Sequence, residues 1–253
     1  MKTIFYLIGI FILIILNSCK KSSSPSDVNL NNGLIAYYPF NGNANDESGN
    51  SLNGAINGGV SFSADPAGKA NSAVTFDGST GYILVPDPTN KFQTSQVSIS
   101  FLVNLTNASV RNSFISNVNF NDASGVIYGV LISQPGINKF QFGVEPNSTG
   151  CTPVPYDPSV NITAANNIVL NEWHSVVAIF SDSLQSIYVD GILNTSETRS
   201  FGVLNQCNTN HDLVIGGWWS GDLVSVAGSM DEVRIYNRVL NQDEISQLAK
   251  AVQ

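Results

Sequence analysis

The chain has 253 residues, 43% of them hydrophobic and only 12% charged, with a formal net charge of −8. That is apolar material enough for one large core, but 11 Lys and Arg cannot build the basic face that nucleic acid or another polyanion demands. The surface must be covered by uncharged polar groups, which suits a turn-rich β protein and excludes a helical bundle made from Glu, Lys and Ala.

Residues 1–19 read as an export leader. Lys2 gives a positive start, and the mostly apolar run Ile4 to Leu16 is too short to cross ~30 Å of hydrocarbon as a helix. The run ends in Leu16-Asn17-Ser18-Cys19, which resembles a bacterial lipobox with Cys19 as the lipidated residue and new N-terminus; an ordinary signal peptide with a chance Cys is the alternative. Residues 20–32, rich in Ser, Asn and Lys, form a tether, and one domain fills 33–253. The expected address is a bacterial cell envelope, at the outer membrane or cell surface, with the lipid as the only membrane contact. Cys151 and Cys207 lie in loop-like segments. Export places them in an oxidising compartment, so a disulfide between them is expected, with two free thiols as the alternative.

Strand signals then recur through the mature chain at 34–40, 60–64, 72–77, 81–86, 97–105, 113–118, 125–133, 138–144, 173–181, 185–190, 211–216 and 230–237. The clearest alternation is Val97, Ile99, Phe101, Val103 and Leu105, with Ser98, Ser100 and Asn104 between them. Trp173–Phe180 is apolar on both faces, which puts it mid-sheet with its second face covered. Asp77-Gly78 and Asp190-Gly191 suggest hairpin turns. One helix is expected at the C-terminus, with Asn241 and Glu244 as a capping box and Ile245, Leu248 and Val252 as its apolar stripe. Many short strands with no helix between them mean a sandwich or barrel.

Three features bear on chemistry. The segment 41–50 packs Asn41, Asn43, Asn45, Asp46, Ser48 and Asn50 between Gly42 and Gly49, an oxygen density that a hard cation would use. An ordinary turn built by Asn and Asp is the alternative. Asp231 alternates in phase with Val233 and Ile235, so it should face inward, where a carboxylate needs a metal, a salt bridge or backbone amides. Trp218-Trp219, between Gly216-Gly217 and Ser220-Gly221, can present an exposed indole to a sugar ring, with Tyr128 and Tyr188 as partners on outer faces. The alternative is one core indole and one covering the sheet edge.

The run Leu34-Ile35-Ala36-Tyr37-Tyr38-Pro39-Phe40 into Asp46-Glu47-Ser48-Gly49-Asn50 resembles the opening of laminin-G-like, concanavalin A-like jelly rolls. Gly228-Ser229-Met230-Asp231-Glu232-Val233-Arg234-Ile235-Tyr236 resembles their closing strand, and Ala73–Gly78, Trp173-His174 and Ile187–Gly191 agree with their middle. The resemblance covers about residues 33–250. It implies an all-β, two-sheet antiparallel jelly-roll sandwich with a short C-terminal helix. It also implies a structural calcium held by Asp46 and Asp231, with an oxygen each from Asn43 and Gly49. His174 belongs to a motif also found in non-catalytic members and is expected to be structural.

No paired-acid strand of the retaining glycosidases, G-x-S-x-G, H-E-x-x-H or P-loop occurs, so no catalytic residue is assigned. The expected function is a non-catalytic module that binds a glycan or a cell-surface protein. A structural envelope component without sugar binding and a glycoside hydrolase of the same fold are the alternatives.

Overall fold

A computed structural model describes residues 28–121, 126–132, 134–145, 160–198, 200, 202–204 and 211–252. The leader, Cys19, Cys151 and Cys207 lie outside these residues, and with them the lipidation and disulfide expectations. Two antiparallel sheets face each other. One contains β1 (Leu34–Tyr38), β3 (Val60–Ser63), β4 (Ala73–Asp77), β6 (Val97–Leu105), β11 (Trp173–Phe180), β12 (Leu184–Val189), β13 (Ile192–Thr198) and β15 (Ala227–Tyr236). Its order is β13-β12-β11-β6-β15-β4-β3, with β1 also paired to β15. The other contains β2 (Ala55–Asn57), β5 (Tyr82–Val85), β7 (Asn112–Val118), β8 (Tyr128–Ile132), β9 (Gln141–Val144), β10 (Ile162–Thr163) and β14 (Asp212–Ile215). Its order is β10-β9-β8-β7-β14-β5-β2. This is the expected all-β sandwich.

Alternation explains the core. Val97, Ile99, Phe101, Val103 and Leu105 of β6 are fully buried against the opposite sheet. Phe101 stacks on Phe114 of β7 at 5.6 Å, and both meet Phe140 edge-on at 6.3 and 5.3 Å, so three rings clasp the layers together. On β11, Val176, Ala178 and Phe180 enter the same core. Val177 and Ile179 point the other way, into a second apolar cluster with Tyr236, Leu240, Ile245 and Leu248. The cover over the second face of β11 is therefore the C-terminal helix α1 (Gln242–Leu248), whose capping box between Asn241 and Glu244 forms as expected. Arg238 grips the Glu244 carboxylate with both guanidinium arms, at 2.8 and 2.6 Å, and fixes the helix start.

One expected turn is corrected. Asp77-Gly78 is no hairpin turn, because β4 and β5 lie in different sheets. The Asp77 carboxylate instead accepts the Ser79, Thr80 and Gly81 amides and the Thr80 hydroxyl, shaping a corner between layers. The tether expected to run to 32 is partly docked. Leu30 packs against the helix cluster, and Arg238 donates to the Asn32 carbonyl at 2.7 Å.

Candidate functional site

β14 ends at Ile215, and the chain then makes a narrow excursion before returning as β15. The Val226 amide donates to the Gly216 carbonyl at 3.1 Å, the Trp218 amide to Leu223 at 2.7 Å and the Asp222 amide to Trp219 at 3.1 Å. The result is a small hairpin with Trp219-Ser220-Gly221-Asp222 at its tip. Arg111 holds the tip through both Asp222 carboxylate oxygens, at 2.9 and 2.6 Å. The Ser220 amide ties it to the Phe120 carbonyl at 2.9 Å. Phe120 lies 5.1 Å from the Tyr82 ring, so this end of the sheet gathers two tryptophans and two further rings, all half-buried.

Two backbone features shape the hairpin that carries the tryptophans. A Cβ on Gly221 would come within 2.3 Å of the Trp219 ring, so the indole lies over the glycine and a larger residue there would displace the ring. Val224, a β-branched residue, has φ +47°, a strained conformation kept by the Ser113 amide bonding its carbonyl at 2.9 Å. Strain of this kind collects where a loop must hold one shape.

Trp218 and Trp219 thus sit together, but their expected partners are elsewhere. Tyr128 is fully buried in the core. On β8 it is in phase with Val130 and Ile132, which also face the opposite sheet, so it offers no surface to a ligand. Tyr188 is in the other sheet and packs beside the C-terminal helix cluster. The rings that do accompany the tryptophans, Tyr82 and Phe120, and the clamp Arg111–Asp222, come from segments far apart in sequence. No motif marks them.

The first loop is a hydrogen-bonded turn. The Tyr37 and Ser48 amides donate to Asp46 Oδ1 at 3.0 and 2.9 Å, and the Leu52 amide and Ser48 hydroxyl donate to Oδ2 at 3.0 and 2.9 Å. Asn43 Oδ1 accepts the Asn45 amide at 2.8 Å, and Gly49 supplies a left-handed turn at φ +92°. Both oxygens of Asp46 are therefore engaged in holding the loop.

Asp231 is different. It is opposite Leu102 of β6, whereas Met230 and Val233 on either side of it enter the core. The expected phase with Val233 and Ile235 is broken by a bulge, with Glu232 in the left-handed region at φ +53°. The bulge falls where the neighbour of β15 changes from β4 to β1. Asp231 is nonetheless buried, with one hydrogen bond, from the Glu232 amide at 2.7 Å. Burial, then the Glu232 charge, with Asp65 adding to them, push its carboxyl up to about 8 against the pull of the Glu232 amide and Arg234. A carboxylate in such surroundings fits a cation. Among the described residues no group of three or more His, Cys, Asp and Glu is placed to hold a metal.

His174 is structural in geometry. Its Nδ1 lies 2.9 Å from Asp190 Oδ2 and its Nε2 3.1 Å from the Val169 carbonyl. Both partners are acceptors, which favours the imidazolium. The Asp190 hydrogen bond raises its pKa against the opposing effect of burial.

The sequence pattern of the concanavalin A-like lectin/glucanases superfamily matches residues 77–246, from the end of β4 into the C-terminal helix. The chain belongs to this family. A comparison with curated proteins by sequence finds no match. Among solved structures, this concanavalin A-like chain is similar to domain 4 of AbnA, a GH43 extracellular arabinanase from Geobacillus stearothermophilus, in complex with arabinotriose. Identity is 20% and the TM-score 0.63, over 86% of this chain and 98% of that one. It is also similar to the binding domain of botulinum neurotoxin DC in complex with rat synaptotagmin II, at 16% identity and TM-score 0.63 over 89% of this chain. The same toxin domain in complex with SialylT matches at 14% identity and TM-score 0.61 over 88% of this chain. The chain spans about half the length of those toxin structures, 53% and 52%. At these identities the likeness is one of fold.

Proposed function

We propose that the protein is a non-catalytic glycan-binding module of the bacterial envelope, held to the membrane by a lipid on Cys19. The observation that carries the reading is the Trp219 hairpin. A half-buried indole lies over a glycine on a hairpin tied by Arg111–Asp222, with Trp218 next to it in sequence and the Tyr82–Phe120 ring pair joined to the hairpin through the Ser220–Phe120 backbone bond. Sugar rings present C–H faces to aromatic platforms of this kind and their hydroxyls to the polar groups around them. Two of the fold's relatives were solved with an oligosaccharide or a sialyl ligand, which supports a saccharide as the partner. Synaptotagmin II on that same toxin domain keeps a cell-surface protein as the second reading.

A glycan array probed with the full chain tests this directly. Binding to at least one saccharide, lost tenfold or more in Trp219→Ala with the melting temperature unchanged, is the expected result. No glycan bound, with a protein partner captured instead, favours the second reading.

A structural calcium belongs to the same proposal. Asp231 would hold it, with Asp65 as the second carboxylate in electrostatic reach, and the ion would supply the positive charge that the buried carboxylate lacks. Asp46 does not fit a ligand role, since four donors already use its oxygens. Calcium uptake in calorimetry, and a melting temperature lowered by EDTA, are expected for wild type and not for Asp231→Asn.

A further inference from the structure

Lys139 stands apart from every other Lys and Arg among the described residues. Lys69, Lys91 and Lys250 donate to the side-chain oxygens of Asn41, Asn50 and Gln247. Arg111, Arg234 and Arg238 are paired with Asp222, Glu232 and Glu244. Lys139 has no such partner, though it is half-buried. It lines a groove of about 390 Å³ with Gln134, Ile137, Gln141, Thr163 and Asn167, and no carboxylate is among the described residues that line it. In a chain of net charge −8, a cation left uncompensated in a concavity is a specific arrangement.

The groove floor is fixed. The Gly136 amide donates to the Ala108 carbonyl at 2.6 Å, Ile137 to Gln134 at 3.1 Å, Ala164 to Phe140 at 2.8 Å and Ile168 to Asn138 at 2.8 Å. Gln141 Nε2 donates to Thr163 Oγ1 at 3.1 Å and links β9 to β10. The lining therefore offers one cation, three carboxamides and a hydroxyl on a rigid base, beside Ile137, which is 41% exposed. That inventory matches an acidic sugar: a carboxylate for Lys139, hydroxyls for the amides and Thr163, and a C–H face for Ile137.

We propose that this groove binds a saccharide bearing a carboxylate, with Lys139 as the residue that selects the acid. None of its residues belongs to the Trp219 hairpin, so the two sites can be tested separately. The experiment is a heteronuclear NMR titration of the full chain with glucuronate, galacturonate and N-acetylneuraminate, each against its methyl ester. At least one acid is expected to shift the Lys139 and Gln141 resonances with tenfold or greater preference over its ester. Lys139→Met should abolish that preference, while Lys139→Arg and Trp219→Ala keep it. The inference is overturned if no acid outperforms its ester, or if Lys139→Met retains the preference. It is equally overturned if inorganic sulfate produces the same shifts at the same concentration, which would mean an adventitious ion only.

Discussion

The Tyr128 hydroxyl is buried without a hydrogen-bond partner, and its ring is surrounded by the core. An unsatisfied hydroxyl in such a place costs about 1–3 kcal/mol. Tyr128→Phe is therefore expected to raise stability by about 1 kcal/mol, read as a higher denaturant midpoint at unchanged slope. A loss of stability would reveal a partner for that oxygen. Asp231 makes a pH-dependent contribution of the opposite usefulness. Its carboxyl is raised from 3.8 to about 8 by burial first and by Glu232 next, so the fold prefers it protonated. Its contribution is full below its ordinary value and is lost as pH rises to about 8. In EDTA, wild type should lose stability across that window relative to Asp231→Asn, which stays neutral, by on the order of a few kcal/mol at the alkaline end. Parallel pH profiles for the two proteins would contradict this. His174 follows the same sign, because its raised pKa makes the Asp190 contact a stabilising one that fades as pH rises through the folded value.

At the scale of elements, two carboxylates organise loops, Asp77 at the corner between the sheets and Asp46 in the first loop. Asp46 accepts four hydrogen bonds that tie 46–52 to β1. Asp46→Ala should cost roughly 2–4 kcal/mol in chemical denaturation, with or without calcium. A cost that appears only when calcium is present would instead make Asp46 a metal ligand. The alternation of β6 and the two apolar faces of β11 were legible in the sequence because burial is written there as side-chain type. β13 was not legible. Its residues Ile192–Thr198 lie at a sheet edge, with Ile192 and Leu193 exposed, so no periodic burial selects them. β2 is three residues long and mostly exposed, too short for a pattern. The bulge in β15 was hidden for another reason. A left-handed residue usually announces itself as Gly or Asn, and here it is Glu232. Extending the alternation back from Val233 through Glu232 therefore assigned Asp231 the wrong phase.

For the whole molecule, the sandwich was readable from the spacing of strands and turns, while the candidate site was readable only at its tip. Trp218-Trp219 between glycines is a local signal. Tyr82, Phe120 and Arg111 reach that tip only because β5, β7 and β14 are neighbours in one sheet, a fact of topology that no local pattern carries. Tyr128 misled because an aromatic with a polar end suits a surface as well as a core, and phase along β8 decides between them. The central claim is that the Trp219 hairpin is the glycan platform, and the three tryptophans allow it to be tested in one spectrum. The full chain, labelled at the indole nitrogens and assigned with Trp→Phe variants, can be titrated with the best ligand from the array. Movement of the Trp219 resonance on binding, with Trp173 unmoved, is the predicted result. A saturated complex in which the Trp218 and Trp219 indoles keep their free positions would contradict the account.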